Sequence, residues 1–114
     1  MEVINFIEKL NQLAETITFE ETITVIDQNY IFTPTAFQNG NQYNNVGENS
    51  GSYKLFAFGL LQKLSVNQML ACFGSYYFED VLGNPEGTNH QNIRNFMKTG
   101  WNGIRFEVNT LVKK

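Results

Sequence analysis

The chain has 114 residues, of which 42% are hydrophobic and 14% aromatic, and it carries a net charge of −3. That length predicts a single domain, residues 1–114, able to bury a core without a disulfide or a metal. The acidic balance excludes the basic surface that tracks a phosphate backbone, and with it nucleic acid as a partner, while no apolar run approaches the ~18–20 residues of a membrane helix.

The first segment places Val3, Phe6, Ile7, Leu10, Leu13 and Ala14 at helical spacing, which predicts an amphipathic helix from the start of the chain. No basic stretch precedes it, so a secretory signal peptide is not expected. Thr18 with Glu21 three residues on is a capping-box pattern, and it predicts a second helix over about 19–29 with Phe19, Ile23, Ile26 and Tyr30 facing inward. A strand competes over Ile17–Ile26 because that run is rich in β-branched residues; the cap and the spacing favour the helix.

Pro34 ends helical structure, and Asn39-Gly40 predicts a hairpin turn joining Thr35–Gln38 to Asn41–Tyr43. After a polar loop over 44–52, the segment Tyr53–Leu64 is apolar on all sides, the pattern of a buried central helix. Ser65 and Gln68 form another capping-box pattern, opening a helix with Met69, Leu70, Phe73 and Tyr77 inward and Gly83 and Pro85 at its stop. Thr88 and Gln91 repeat the pattern for a last helix that runs to about Lys98 and ends at Gly100. Ile104, Phe106 and Val108 then alternate with Arg105, Glu107 and Asn109 as a half-buried strand that can extend the hairpin. The expected fold is α+β and mostly α: about five helices around a buried central one, with a small two- or three-stranded antiparallel sheet.

Candidate chemistry concentrates between Leu70 and Glu107. Glu79 and Asp80 fall at the end of their predicted helix, where negative charge opposes the macrodipole, so Arg94, Arg105, solvent or a ligand is expected to offset them. His90, the only histidine, is expected at the second helical position, at the edge of the face formed by Ile93, Phe96 and Met97. One histidine without a spaced second ligand predicts no metal site, and Cys72, the only cysteine, excludes an internal disulfide and a cysteine-based zinc site. Cys72 lies mid-helix and is expected to be a buried, inert thiol. Tyr76, Tyr77 and Phe78 are successive, and one helix face cannot hide all three, so at least one is expected to leave the main core. No phosphate loop, nucleophile elbow or cofactor fingerprint appears, and no cofactor is expected.

Three blocks carry a family resemblance. They are Thr33-Pro34-Thr35-Ala36-Phe37-x-Asn39-Gly40, Lys54-x-Phe56-Ala57-Phe58, and the long run from Leu70 to Glu107. Together they resemble the HopJ type III effector family over about residues 19–107. The resemblance implies a small soluble bacterial protein and an effector role; it supplies no catalytic residues. The helix that begins at Val3 predicts a folded N-terminus and a cytoplasmic resident, with type III secretion implied by the resemblance alone.

Three functional expectations follow. The first is a non-enzymatic protein-binding surface centred on Tyr77, Glu79, Asp80, His90, Arg94 and Trp101, which requires several of them to be accessible and close together. The second is polysaccharide binding or loosening, which requires a flat row of at least two exposed rings. The third is a hydrolase-like enzyme using His90 with Glu79 or Asp80, which requires the imidazole and a carboxylate within about 2.6–3.2 Å.

Overall fold

Apolar residues three and four apart seat α1 (Val3–Gln12) on the core, with Phe6 and Leu10 buried. The computed structural model describes residues 1–106 and 111–114. A 3₁₀ turn, Ala14–Thr16, leads to α2 (Phe19–Asn29), where the Thr18 hydroxyl accepts from Glu21 N at 3.0 Å. The Glu21 carboxylate does not return to Thr18; it pairs with Lys9 of α1 at 2.7 Å. The expected stripe of Phe19, Ile23, Ile26 and Tyr30 packs on the core, with Ile26 fully buried and the other three half-buried, and Thr22 and Val25 join Ile26 as the most buried positions of α2. Thr22 turns inward because its hydroxyl donates to the buried Cys72 carbonyl at 2.9 Å.

Two small antiparallel sheets follow. Strand β1 (Tyr30–Phe32) pairs with β5 (Leu111–Lys113), about eighty residues later, and no local pattern announces that pairing. Strands β2 (Phe37–Asn39), β3 (Gln42–Asn44) and β4 (Ile104–Arg105) form a sheet in the order β3-β2-β4. The hairpin is shifted from the expected one. Asn39 pairs with Gln42, so Gly40-Asn41 makes the turn, and only Gly40 takes a positive φ, of 61°. Asn39 stays in the strand because its buried amide is held by α5. The expected continuation of the last strand to Val108 lies outside the described residues.

Helix α3 (Ser50–Gln62) is the centre of the fold, with Phe56 and Phe58 fully buried. Phe56 meets rings from β2, α5 and the segments after α4 and α5; Phe58 meets Phe6 of α1 and Tyr30 of β1. Its burial does not run all round to its end, since Leu60 and Leu61 are exposed. Ser65 and Gln68 form the full reciprocal capping box of α4 (Val66–Ala71). Helix α5 (Gln91–Thr99) closes the bundle and ends at Gly100, with φ of 57°. The architecture is α+β and mostly α, as composition and periodicity predict.

The helix expected to run unbroken from Ser65 to Gly83 is in fact two pieces. It stops after Ala71, turns at Gly74 and resumes as a π-helical segment, Tyr76–Val81, in which Leu82 N bonds the Tyr77 carbonyl at 3.0 Å. Gly74 has φ of +62°, and a Cβ there would lie 2.8 Å from Phe19 N and 3.0 Å from Ile17 O. The chain breaks where another backbone crosses it, and only glycine permits both the crossing and the left-handed turn.

A candidate binding site around His90

The π-helical winding decides how the three successive rings are placed. Tyr76, Tyr77 and Phe78 are all half-buried and all pack against the core, so none leaves it as expected. π-Helical turns are rare and recur at functional sites. Here the turn puts Tyr76 beside Phe19, with ring centroids 5.2 Å apart, and presents Asp80 to the loop that follows.

That loop is organised by Arg94. Its Nε donates to Asn89 O at 2.6 Å, Nη1 to Asn84 O and Pro85 O at 3.0 and 3.2 Å, and Nη2 to Asn89 Oδ1 at 2.7 Å. The side chain is buried and forms no salt bridge among the described residues. The expectation that Arg94 offsets Glu79 and Asp80 is therefore corrected: its planar fork is engaged by carbonyls, a geometry an ammonium could not match.

His90 emerges from the clamped loop. It is not the second residue of the helix but the residue before it, with φ of 53° and ψ of 49°. The expected Thr88–Gln91 capping box does not form; Gln91 Nε2 instead donates to Thr88 O at 2.6 Å. The imidazole Nε2 lies 3.0 Å from Asp80 Oδ2, and the ring stacks on Tyr76 at 5.1 Å with planes 27° apart. A carboxylate only accepts, so Nε2 carries the proton of this contact, which makes Nδ1 an acceptor whenever the ring is neutral. Nδ1 has no hydrogen bond among the described residues. A left-handed, non-glycine residue held by a carboxylate and a stacked ring has stored strain of the kind found at functional sites.

His90 lines a cavity of about 340 Å³ bounded by Phe19, Phe73 and Tyr76 on the apolar side and by Asn49, Ser52 and Asn92 on the polar side. Two helices begin at its wall. Asn49 and His90 precede α3 and α5 in left-handed conformations, and neither supplies a side-chain cap. Uncapped helix starts leave backbone N–H groups available to acceptors. Behind the polar wall lies an amide network. Asn92 and Asn44 exchange hydrogen bonds at 3.1 and 3.4 Å, Asn39 Nδ2 donates to Asn92 O at 2.7 Å, and Asn49 Nδ2 donates to Asn44 Oδ1 at 2.6 Å. These bonds tie α5 to the hairpin and so fix the cavity wall. Asn39 Oδ1 is buried and has no hydrogen-bond partner among the described residues.

Of the residues singled out from the sequence, the fold joins Asp80 to His90. Glu79 is exposed and forms no ion pair among the described residues. Tyr77 is half-buried against Phe78 at 5.1 Å. Trp101 has a structural place: its Nε1 donates to Leu64 O at 2.8 Å, and its ring packs edge-on against Phe56 and Phe96. The six residues do not form one exposed surface, because Arg94 and Trp101 are committed to the loop and the core. Tyr43 is the single exposed ring among the described residues, so the flat aromatic row needed for polysaccharide is lacking. Cys72 is fully buried, and burial pushes its thiol up to about 12, with the Thr22 hydrogen bond acting the other way. Among the described residues no cluster of three or more His, Cys, Asp or Glu could hold a metal ion, and no helix is long and apolar enough to cross a membrane. Sequence reasoning singled out Tyr76 only as one of three successive rings, and it missed the cavity residues Asn49, Ser52 and Asn92. Asn49 had a signal, since asparagine tolerates positive φ better than most residues; the others had none.

These features define a small, mostly helical α+β protein with one histidine held at a polar cavity. The chain belongs to the HopJ type III effector protein family, whose model matches residues 3–111. A solved crystal structure, described as that of "unknown function protein VPA0580", is 55% identical, covers 100% of this chain and 95% of its own, and superposes with a TM-score of 0.98. No curated protein matches the chain.

Proposed function

We propose that this protein is a non-enzymatic binding protein whose recognition site is the cavity at His90. The observation that carries the reading is the His90 ring, fixed by Asp80 on Nε2 and by Tyr76 on its face, with Nδ1 unengaged among the described residues at a cavity where two helices begin without side-chain caps. Nδ1 accepts and the helix-start N–H groups donate, so the site suits a group that does both, such as a peptide amide of a protein partner. The wall is held by its own amide network, so binding requires little rearrangement. The site of action is taken to be the bacterial cytoplasm. Phe6 and Leu10 of α1 are core residues, so the segment Val3–Gln12 is part of the fold, which supports this reading. Type III export is the competing route that the family name suggests.

The test is an NMR titration of labelled protein with N-methylacetamide, a peptide-group mimic. Shifts should concentrate at the amides of residues 50–52 and 91–93 and at the His90 ring, and should be lost in His90→Asn, which tolerates the left-handed backbone. Unmoved resonances, or equal shifts in the variant, would count against the site.

A hydrolase-like reading rests on the same 3.0 Å His90–Asp80 contact, which lies within the range required of a base and its orienting carboxylate. It needs a nucleophile. Ser52 lines the cavity but makes no hydrogen bond to His90. Turnover of small esters that disappears in both His90→Asn and Ser52→Ala would establish this reading instead.

A further inference from the structure

On the other side of Gln91 lies a second depression, of about 380 Å³, between the segment 81–87 and α5. Its apolar lining includes Val81, Leu82, Pro85 and Met97, and Leu82 and Met97 are 46% and 42% exposed. Its charged lining is Arg94 and Lys98, with no carboxylate among the described residues. The chain as a whole has eleven acidic and eight basic residues, so this groove reverses the charge of the molecule locally. The neighbouring acids do not correct it: Asp80 is engaged by His90, and neither Glu79 nor Glu86 lines the groove.

Arg94 is the unusual member. It is 7% exposed and has no anionic partner among the described residues, and a buried charge without a counter-charge is costly. Carbonyl oxygens take four of its five N–H groups and leave one on Nη2. A Cβ at Gly87 would sit 2.7 Å from Nη2 and 2.6 Å from Asn84 Nδ2, so glycine there leaves room beside the guanidinium. Lys98, on an exposed turn of α5, adds a second positive charge to the same lining.

We propose that this groove docks a short segment of a protein partner that carries an acidic side chain between apolar ones. The carboxylate meets Arg94 Nη2 and Lys98, and the flanking apolar side chains cover Leu82, Pro85 and Met97. The proposal stands apart from the reading of the His90 cavity, because a different set of residues carries it.

The experiment titrates labelled full-length protein with the blocked tripeptide leucyl-glutamyl-leucine and with its glutamine and lysine counterparts. The glutamate peptide should shift the Arg94 Nε–Hε resonance and the methyl groups of Leu82 and Met97. It should bind about tenfold more tightly than the glutamine peptide, the ratio expected for a charge-assisted hydrogen bond. Lys98→Glu, at an exposed position, should abolish that preference without changing the fold. Gly87→Ala should block the glutamate peptide by covering Nη2. Equal binding of the glutamate and glutamine peptides, shifts that map away from the groove, or a Lys98→Glu protein that keeps the preference would each overturn the proposal.

Discussion

Replacing Gly74 by alanine tests the feature that makes the site. The residue sits at φ of +62°, and holding an L-residue there costs roughly 1–2 kcal/mol. The added Cβ would also lie 2.8 Å from Phe19 N, 3.0 Å from Ile17 O and 3.0 Å from Thr18 Cα. All three are backbone atoms at the entry to α2, so no flexible side chain can yield, and overpacking of this kind costs about 1–3 kcal/mol more. The sum, about 2–5 kcal/mol, is a large share of the roughly 5–15 kcal/mol that stabilises a domain of this size. Urea unfolding followed by circular dichroism should show the midpoint fall by about 1 M or more, for an m-value of about 1–3 kcal/mol/M. Gly47→Ala is the control. Its φ is +85° and nothing lies within 4 Å of the new Cβ, so it bears the conformational cost alone. Equal losses in the two variants would refute the argument that the crossing backbone, rather than the left-handed turn, demands glycine at position 74.

The buried Cys72 thiol should resist a disulfide reagent in the native protein at pH 8 and react at once in denaturant; fast native labelling would contradict its burial. Its folded pKa, about 12, lies above the ordinary 9.0, so the unfolded thiol ionises first. Its contribution to stability is therefore full below pH 9 and is lost as pH rises from 9 towards 12, which thermal melts of wild type and Cys72→Ala should separate. Arg94→Met should free the 84–89 loop, seen as faster amide exchange there, with a global loss of about 1–3 kcal/mol; unchanged exchange would show that the clamp is idle. Trp101→Phe removes the bond to the Leu64 carbonyl and should cost about 1–3 kcal/mol in a thermal melt without altering the His90 site; a shifted His90 ring resonance would contradict their separation.

Much of the fold was legible because its signals are local. Thr18 caps α2, Ser65 and Gln68 close a reciprocal box, and Gly100 ends α5, all through contacts within a few residues. The central helix was legible from the absence of a polar face, and its rings do form the hub of the core. Local signals also misled where a distant group competed for the same residue. Asn39-Gly40 reads as a turn, but Asn92 holds Asn39 in the strand. Thr88 reads as a cap, but the loop drawn in by Arg94 leaves His90 in that place. The run from Leu70 to Leu82 reads as one helix, but the backbone of residues 17–19 crosses it at Gly74.

The sequence by itself determined most of the helices, their order, the mostly helical class and the family, because periodicity, caps and glycines act between near neighbours. It also named both members of the Asp80–His90 pair and posed their convergence as the requirement of one reading, with Glu79 as the other candidate carboxylate. Only the tertiary structure decided that convergence, the withdrawal of Trp101 into the core and of most of the Arg94 fork into the loop, and the meeting of two helix starts at one cavity. Each depends on a contact between segments whose separation no periodicity measures: a π-helical turn aims Asp80, a clamped loop aims His90, and an amide network seats α5 on the hairpin. The chemistry of each side chain was written in the chain; which side chains would share a space was set by how the core closed.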